Sequence, residues 1–229
     1  MARILALDTS TEACSCALYL DGEIREDFAV IPRQHAQRML PMIHALLDTN
    51  GIAVDTLDAV AWGRGPGSFT GLRIAAGIVQ GIAFAADLPV VSVSTLAALA
   101  LQQHQLQGSS AVLACIDARI DELYWACFRI ADGLPQLVGE EQLCAPEQLP
   151  AEFLNLVFGQ EAIAAAGSGL DYLPRFPAAL RARMGNCQPE LLPRAAAIAR
   201  LAAADFAAGL AVAAQDAQPL YLRDKVTQG

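Results

Sequence analysis

Three short stretches carry the residue types that nucleotide chemistry would use. The run LDTST puts Asp8, Thr9, Ser10 and Thr11 directly after an apolar segment, so that a carboxylate and three hydroxyls gather where a strand ends. Such a turn can hold magnesium and phosphate oxygens, although Asp, Ser and Thr also dominate ordinary turns. Asp117-Ala118-Arg119 stands at the comparable place after AVLACI, and Gly167-Ser168-Gly169 would let a flat ligand lie against the backbone. Each of these occurs more often as a plain turn than as a site.

The glycine-rich run GRGPGSFTG, residues 63–71, opens an apolar helix. A helix start preceded by glycines is a natural anion site, but the details argue otherwise. A phosphate loop ends in Gly-Lys-Ser/Thr; here Gly67 is followed by Ser68 and Phe69, with no lysine near. Counted from Gly65 and Gly67, the third glycine of a dinucleotide fingerprint is replaced by Thr70. Close packing, with Ser68 or Thr70 as the helix cap, is the expected role.

His35, His44 and His104 stand at no spacing that joins two on one helix face, so no histidine metal pair is predicted. No G-x-S-x-G elbow is present, and Ser68 has no base partner in sequence. The expectation is no catalytic residue, no metal and no cofactor. C-x-C at Cys14 and Cys16 reads as core thiols on one face of a strand, and six cysteines without secretory features point to a reducing compartment.

The elements that must position these turns follow from pattern. The chain has 229 residues, 55% of them hydrophobic and 17% charged. Its net charge of −9 opposes an independent grip on a nucleic-acid backbone, so contact with RNA is expected only indirectly. No signal peptide and no membrane span are read, which places the chain in the cytoplasm. RILALD is a buried strand; CSCALYL and EIREDFAV flank Asp21-Gly22 as a hairpin. A helix follows over residues 34–48, then the strand LDAVAWG, the glycine turn and a helix to Ala86, the strand LPVVSVS, and the helix TLAALALQQH. The pattern restarts with AVLACID, ELYWACFRI and QLVGEEQL, and closes on the helix RAAAIARLAAADFAAG. Two related halves are predicted. The first, residues 1–105, carries a partner interface; the second, 106–229, is smaller and degenerate, with its C-terminal helix packing back across.

The helix from Leu72 to Ala86 is polar only at Arg73 and Gln80, with Asp87 just beyond, a single line seven residues apart. A surface helix normally shows a broad polar face, so this one is expected to bury a second face against another subunit. Gly77 and Gly81 would admit a close helix, Ile74 and Ile78 would flank them, and Met39, Met42 and Ile43 of the preceding helix would extend the contact.

Taken in order, ILALDTSTEACSCAL, QHAQRMLPMI, GRGPGSFTGLRIAAGIVQGIA, VSVSTLAALA, DARIDELYWACF and PLYLRDKV span most of the chain and resemble the TsaB (YeaZ) family. The resemblance implies an α/β, two-domain fold of the sugar-kinase, actin and Hsp70 type, with mixed sheets flanked by helices. It implies a role in threonylcarbamoyl transfer to adenosine 37 of tRNAs reading ANN codons. It also implies partners: the catalytic paralogue TsaD, the ATPase TsaE, and a second copy of the same chain. The family is regarded as non-catalytic. TsaD-like proteins carry a metal-binding H-x-x-x-H whose places are taken here by Thr95 and Leu99. Asp8, Thr9, Ser10, Asp117, Gly167 and Gly169 then read as remnants of a nucleotide site. Two other readings stay open on residues alone: an ATP-binding phosphotransferase or ATPase using Asp8 and Asp117, and a glycoprotease-like peptidase.

Overall fold

In a computed structural model that describes residues 2–223, the chain forms two five-stranded mixed sheets with helices against them. The last three residues of the block PLYLRDKV lie outside the described residues. The strands are β1 (Arg3–Asp8), β2 (Ala13–Leu20), β3 (Glu23–Val30), β4 (Ala59–Gly65), β5 (Val90–Ser94), β6 (Ala111–Arg119), β7 (Glu122–Ala131), β8 (Leu134–Cys144), β9 (Ile163–Ala166) and β10 (Met184–Gln188). The helices are α1 (His35–Asn50), α2 (Phe69–Ala86), α3 (Thr95–Gln107), α4 (Ala151–Phe158), α5 (Ala178–Arg181) and α6 (Ala195–Ala207). This is the α/β class expected from the sequence, with mixed sheets flanked by helices.

Two compact units result, and the division falls within α3. One comprises Met1–Ala98 with Pro193–Leu220; the other comprises Leu99–Leu192 with the described residues after Leu220. In the first unit the sheet order is β3-β2-β1-β4-β5, antiparallel from β3 to β1 and parallel from β1 to β5. In the second it is β8-β7-β6-β9-β10, with the same change from antiparallel to parallel. Period-two alternation gives the first sheet two apolar faces. Leu5, Leu7, Val60 and Trp62 join the core formed with α1 and α2, and α6 packs over β1, β2, β4 and β5. The second core gathers Leu113, Cys115, Trp125 and Cys127 with Leu154 and Phe158 of α4 and Leu180 of α5.

The six cysteines are free, and four are buried. Burial pushes the thiols of Cys14 and Cys16 up to about 11 and about 12, so they behave as core hydrophobes.

By length and composition α2 is the one described helix that could cross a bilayer. One face of it enters the core, along Leu72, Ala75, Ala76, Val79 and Ala83, and the rest of the helix is not buried.

Candidate functional site

The LDTST turn and the glycine run, which look like separate motifs in sequence, form one packed unit. Parallel pairing of Leu7 with Trp62 brings the ends of β1 and β4 side by side. The chain leaving β4 then folds directly onto the chain leaving β1. A methyl group on Gly63 would come within 2.0 Å of Asp8 Oδ2, one on Gly67 within 2.5 Å of the Ser10 carbonyl oxygen, and one on Gly71 within 1.9 Å of the Thr9 carbonyl oxygen. Hydrogen bonds fix the contact: Thr9 Oγ1 donates to the Gly71 carbonyl at 2.7 Å, and Ser68 N donates to the Ser10 carbonyl at 2.7 Å. Ser68 caps α2, its hydroxyl accepting from Gly71 N at 3.3 Å. The glycines give the β1 turn room to sit against the helix start. Two of the N–H groups that could greet a phosphate there, those of Ser68 and Gly71, are taken by protein atoms instead.

Asp8 itself is shut away at 0% exposure. Its Oδ1 accepts from Ser10 N at 3.0 Å and from the Ser10 hydroxyl at 2.8 Å, while Oδ2 lies against Gly63 without a hydrogen-bond partner among the described residues. Burial raises its pKa to about 7, against the weaker opposing pull of the two Ser10 bonds. At 0% exposure, with Gly63 packed against Oδ2, the carboxyl is closed to magnesium and to a substrate. Thr95 and Leu99, one turn apart on α3, are both 0% exposed, and neither supplies an imidazole. Among the described residues no group of three or more His, Cys, Asp and Glu side chains stands where it could hold a metal ion.

The second unit repeats the arrangement. Gly167, at φ 104°, presses on the Cys115 carbonyl oxygen, which a methyl group would approach to 2.3 Å; one on Gly169 would meet Cys115 Cβ at 2.9 Å. The face on which a flat ligand could lie is covered by strand β6. The Asp117 N–H already donates to Ser168 Oγ at 3.1 Å, and the Asp117 carboxylate is engaged by Arg119 and by the Tyr172 hydroxyl. Each group of proposed remnants is therefore brought together within its own unit; Asp8, Thr9, Ser10, Gly167 and Gly169 are buried there, while the Asp117 side chain is partly exposed.

The outer face of α2 is different. Gly77 and Gly81 are exposed, and a methyl group on either would meet open space. Ile74, Ile78 and Ile82 are half-buried and Phe84 is 83% exposed. Together with Leu40, Val54, Asp55, Ala85 and Ala86, residues Gly77, Ile78, Gly81 and Ile82 line a groove of about 690 Å³. The polar line of the helix is used up locally. Arg73 stacks on the Phe69 ring at 3.9 Å, Gln80 donates to the Ala217 carbonyl at 3.0 Å, and Asp87 ends the helix at φ 52°.

One part of the expected surface is corrected. Met39, Met42 and Ile43 are 0%, 3% and 4% exposed and belong to the core under the first sheet. The α1 stripe at 39, 42, 43, 46 and 47 has the spacing of a core face, and it is spent on the sheet. The α1 residue that reaches the groove is Leu40, 54% exposed beside Pro41. Sequence reasoning missed Leu40, Val54, Ile82 and Phe84. For Phe84 the signal was present, since it stands off the stripe of small residues that packs α2 on the sheet.

Comparison with known proteins shows the family. The family model described as "TsaD: tRNA N6-adenosine threonylcarbamoyltransferase" matches residues 29–225. The "tRNA threonylcarbamoyladenosine biosynthesis protein TsaB" of Escherichia coli (strain K12) is 41% identical over 98% of this chain and 96% of its own length. The TsaB protein of Haemophilus influenzae is 37% identical over 98% of this chain and 94% of its own. The solved structure of YeaZ from Pseudomonas aeruginosa, 45% identical, covers 97% of this chain and all of its own with a TM-score of 0.91. The chain belongs to the TsaB family of tRNA threonylcarbamoyladenosine biosynthesis proteins, within the wider TsaD group.

Proposed function

We propose that this chain is a non-catalytic subunit that pairs with a TsaD-type transferase through the outer face of α2 and is required, with a TsaE-type ATPase, for threonylcarbamoylation of adenosine 37. The observation that carries the reading is the pairing of a sealed polar turn with an open apolar groove. Asp8 lies under Gly63 and cannot reach a ligand, whereas Gly77 and Gly81 stand open beside exposed Phe84. Small residues flanked by large apolar ones let a partner helix approach closely and bury area. A second copy of the chain is a competing occupant of the same groove. The acidic net charge of −9 leaves the tRNA to a partner's surface.

The test is a reconstituted mixture of the TsaD-type transferase, the TsaE-type ATPase, the adenylate-forming enzyme, threonine, bicarbonate and ATP, with and without this chain. Modification of adenosine 37 is expected to vanish when this chain alone is omitted; equal modification without it refutes the reading. Gly77→Leu and Gly81→Leu should weaken transferase binding by ~10-fold or more while melting at or above the wild-type temperature, since their side chains enter open space and leucine favours the helix more than glycine does. ATP binding by the isolated chain, lost on Asp8→Ala, would instead favour a phosphotransferase.

A further inference from the structure

The groove on the outer face of α2 has two unlike ends. Its floor is a row of small residues four apart, Gly77, Gly81 and Ala85, all exposed. A row at that spacing receives the matching row of another helix, the packing in which two helices cross at about 50°. α2 runs back from the end of β4 to the level where β4 starts, and the 3-10 turn Val54–Thr56, which leads into β4, packs on it there. Asp55 of that turn therefore lines the groove with Ala85 and Ala86, at the end where α2 stops. Among the described residues it is the only charged member of the lining.

The negative charge at that end is not answered from within the chain. Asp48, in the last turn of α1, meets His44 at 2.8 Å. The Asp55 carboxylate, by contrast, has no hydrogen-bond or ion-pair partner among the described residues. The end of α2 adds to it. This is the negative pole of an 18-residue helix, its last turn holds no basic residue, and the residue that stops it is another exposed aspartate, Asp87. Helix ends of this kind are stabilised by lysine or arginine, and here the chain supplies neither.

We propose that the transferase helix seated in this groove carries an arginine or lysine that meets Asp55 and the carbonyl end of α2, so that Asp55 sets the direction of the partner helix and is a specificity-determining residue of the interface. This rests on the reading above, in which a transferase is the occupant. Charge separates that occupant from a second copy. A copy brings the same net charge of −9, whereas a subunit that acts on tRNA must itself carry cationic surface. Apolar contact along Gly77 and Gly81 is nearly indifferent to which way a helix points, and a charge at one end is not. Packed beside Ala85 and Ala86 under a docked helix, the pair is shielded from water and gains more than it would on an open surface.

The experiment titrates wild type, Asp55→Asn, Asp55→Lys and Gly81→Leu against the purified TsaD-type transferase by calorimetry at low and at high salt. Thermal melting and sedimentation of each chain alone run in parallel. Asp55→Asn keeps the shape and removes the charge; it should bind ~5-fold more weakly at low salt, with the difference shrinking at high salt. Asp55→Lys sets like charges together and should lose ~30-fold or more. Gly81→Leu should lose affinity alike at both salt concentrations. Unchanged affinity in the two Asp55 variants overturns the proposal. So does a loss that salt leaves unaltered, because an ion pair is screened and a contact of shape is not. If Asp55→Lys alters self-association while transferase binding stays intact, the charge serves the contact between copies, and the proposal falls. Should Asp55→Lys melt below wild type, the isosteric Asp55→Asn alone decides. If wild type itself fails to bind the transferase, the proposed function falls together with this inference. If wild type binds and Gly81→Leu weakens it while the Asp55 variants do not, the inference alone falls.

Discussion

The two units share one strand order but cross from their fourth strand to their fifth very differently. From β4 to β5 the chain travels through the 18 residues of α2; from β9 to β10 it uses a 3-10 segment, Ser168–Arg175, and the four residues of α5. The shorter crossover covers its sheet well enough to bury Leu170, Phe176 and Leu180. Covering a sheet of this order therefore does not demand a long helix with an apolar outer face. What α2 adds beyond the second unit's solution is surface: exposed Phe84 and the groove around Gly77 and Gly81. What the units keep in common is the seal, a glycine after the fourth strand pressed on the first strand or on the chain that leaves it.

The seal of the first unit offers the largest test. Asp8 is fully buried, with its pKa raised to about 7 chiefly by burial, from an ordinary value of 3.8. Between these values the unfolded chain has lost the proton while the folded chain keeps it. Stability from this group is therefore fully present below about pH 4, is lost as pH rises toward about 7, and is level above that, a loss on the order of 4 kcal/mol. Asp8→Asn cannot titrate, so its unfolding free energy measured by urea should lack this slope. An identical slope in wild type and variant would show that Asp8 is not the buried acid described.

Gly71→Ala and Gly167→Ala compare the two seals directly. Each places a methyl group against a backbone oxygen, at 1.9 Å from Thr9 and 2.3 Å from Cys115, and Gly167 also sits at φ 104°. Backbone cannot swing aside as a side-chain tip can. Each change should cost about 3 kcal/mol or more, seen as a lower urea midpoint. A loss confined to Gly71→Ala would mean that the second seal is slack and that the resemblance between the units is one of topology alone.

Much of this architecture was legible beforehand, for identifiable reasons. The Asp21-Gly22 hairpin, the α2 start at Ser68 and the restart at β6 rest on local signals: turn chemistry, capping and period. The roles of Asp8 and the glycine run were half legible. Their residue types suggested a ligand site or a turn, and only the pairing of β1 with β4 shows each filling the space above the other. Met39, Met42 and Ile43 were misplaced because an apolar stripe looks the same whether it meets a sheet or a partner. The left-handed run at Arg119, Ile120 and Asp121 carries no sequence signal, since Ile-Asp is not a residue pair that announces such a loop.

A smaller effect separates α6 from the helices that cap themselves. Its first N–H groups are answered from the sheet. Ala195 N donates to the buried Ser15 hydroxyl at 2.9 Å, and Ala196 N donates to Glu26 at 2.9 Å. Glu26 also pairs with Arg194, which lies over the Phe28 ring at 4.2 Å. Ser15→Ala should cost about 1–2 kcal/mol, as loss of a helix cap does, and Glu26→Gln, which keeps an acceptor, should cost less. Equal losses would show that the Glu26 charge contributes as much as the Ser15 hydrogen bond.

The smallest expected effect bears on why α2 keeps its glycines. In an exposed helix interior glycine is about 0.5–1 kcal/mol worse than alanine, and neither Gly77 nor Gly81 has a neighbour that a methyl group would strike. Gly77→Ala and Gly81→Ala should each raise the unfolding free energy by about that amount. Against the transferase the sign reverses, because two methyl groups hold an approaching helix away from the groove floor, and affinity should fall as stability rises. Opposite signs would locate the purpose of these glycines in the approach of a partner. A gain in stability with affinity unchanged would mean that the partner does not come close at 77 and 81, and would shift the contact toward Phe84 and Leu40 at the margins.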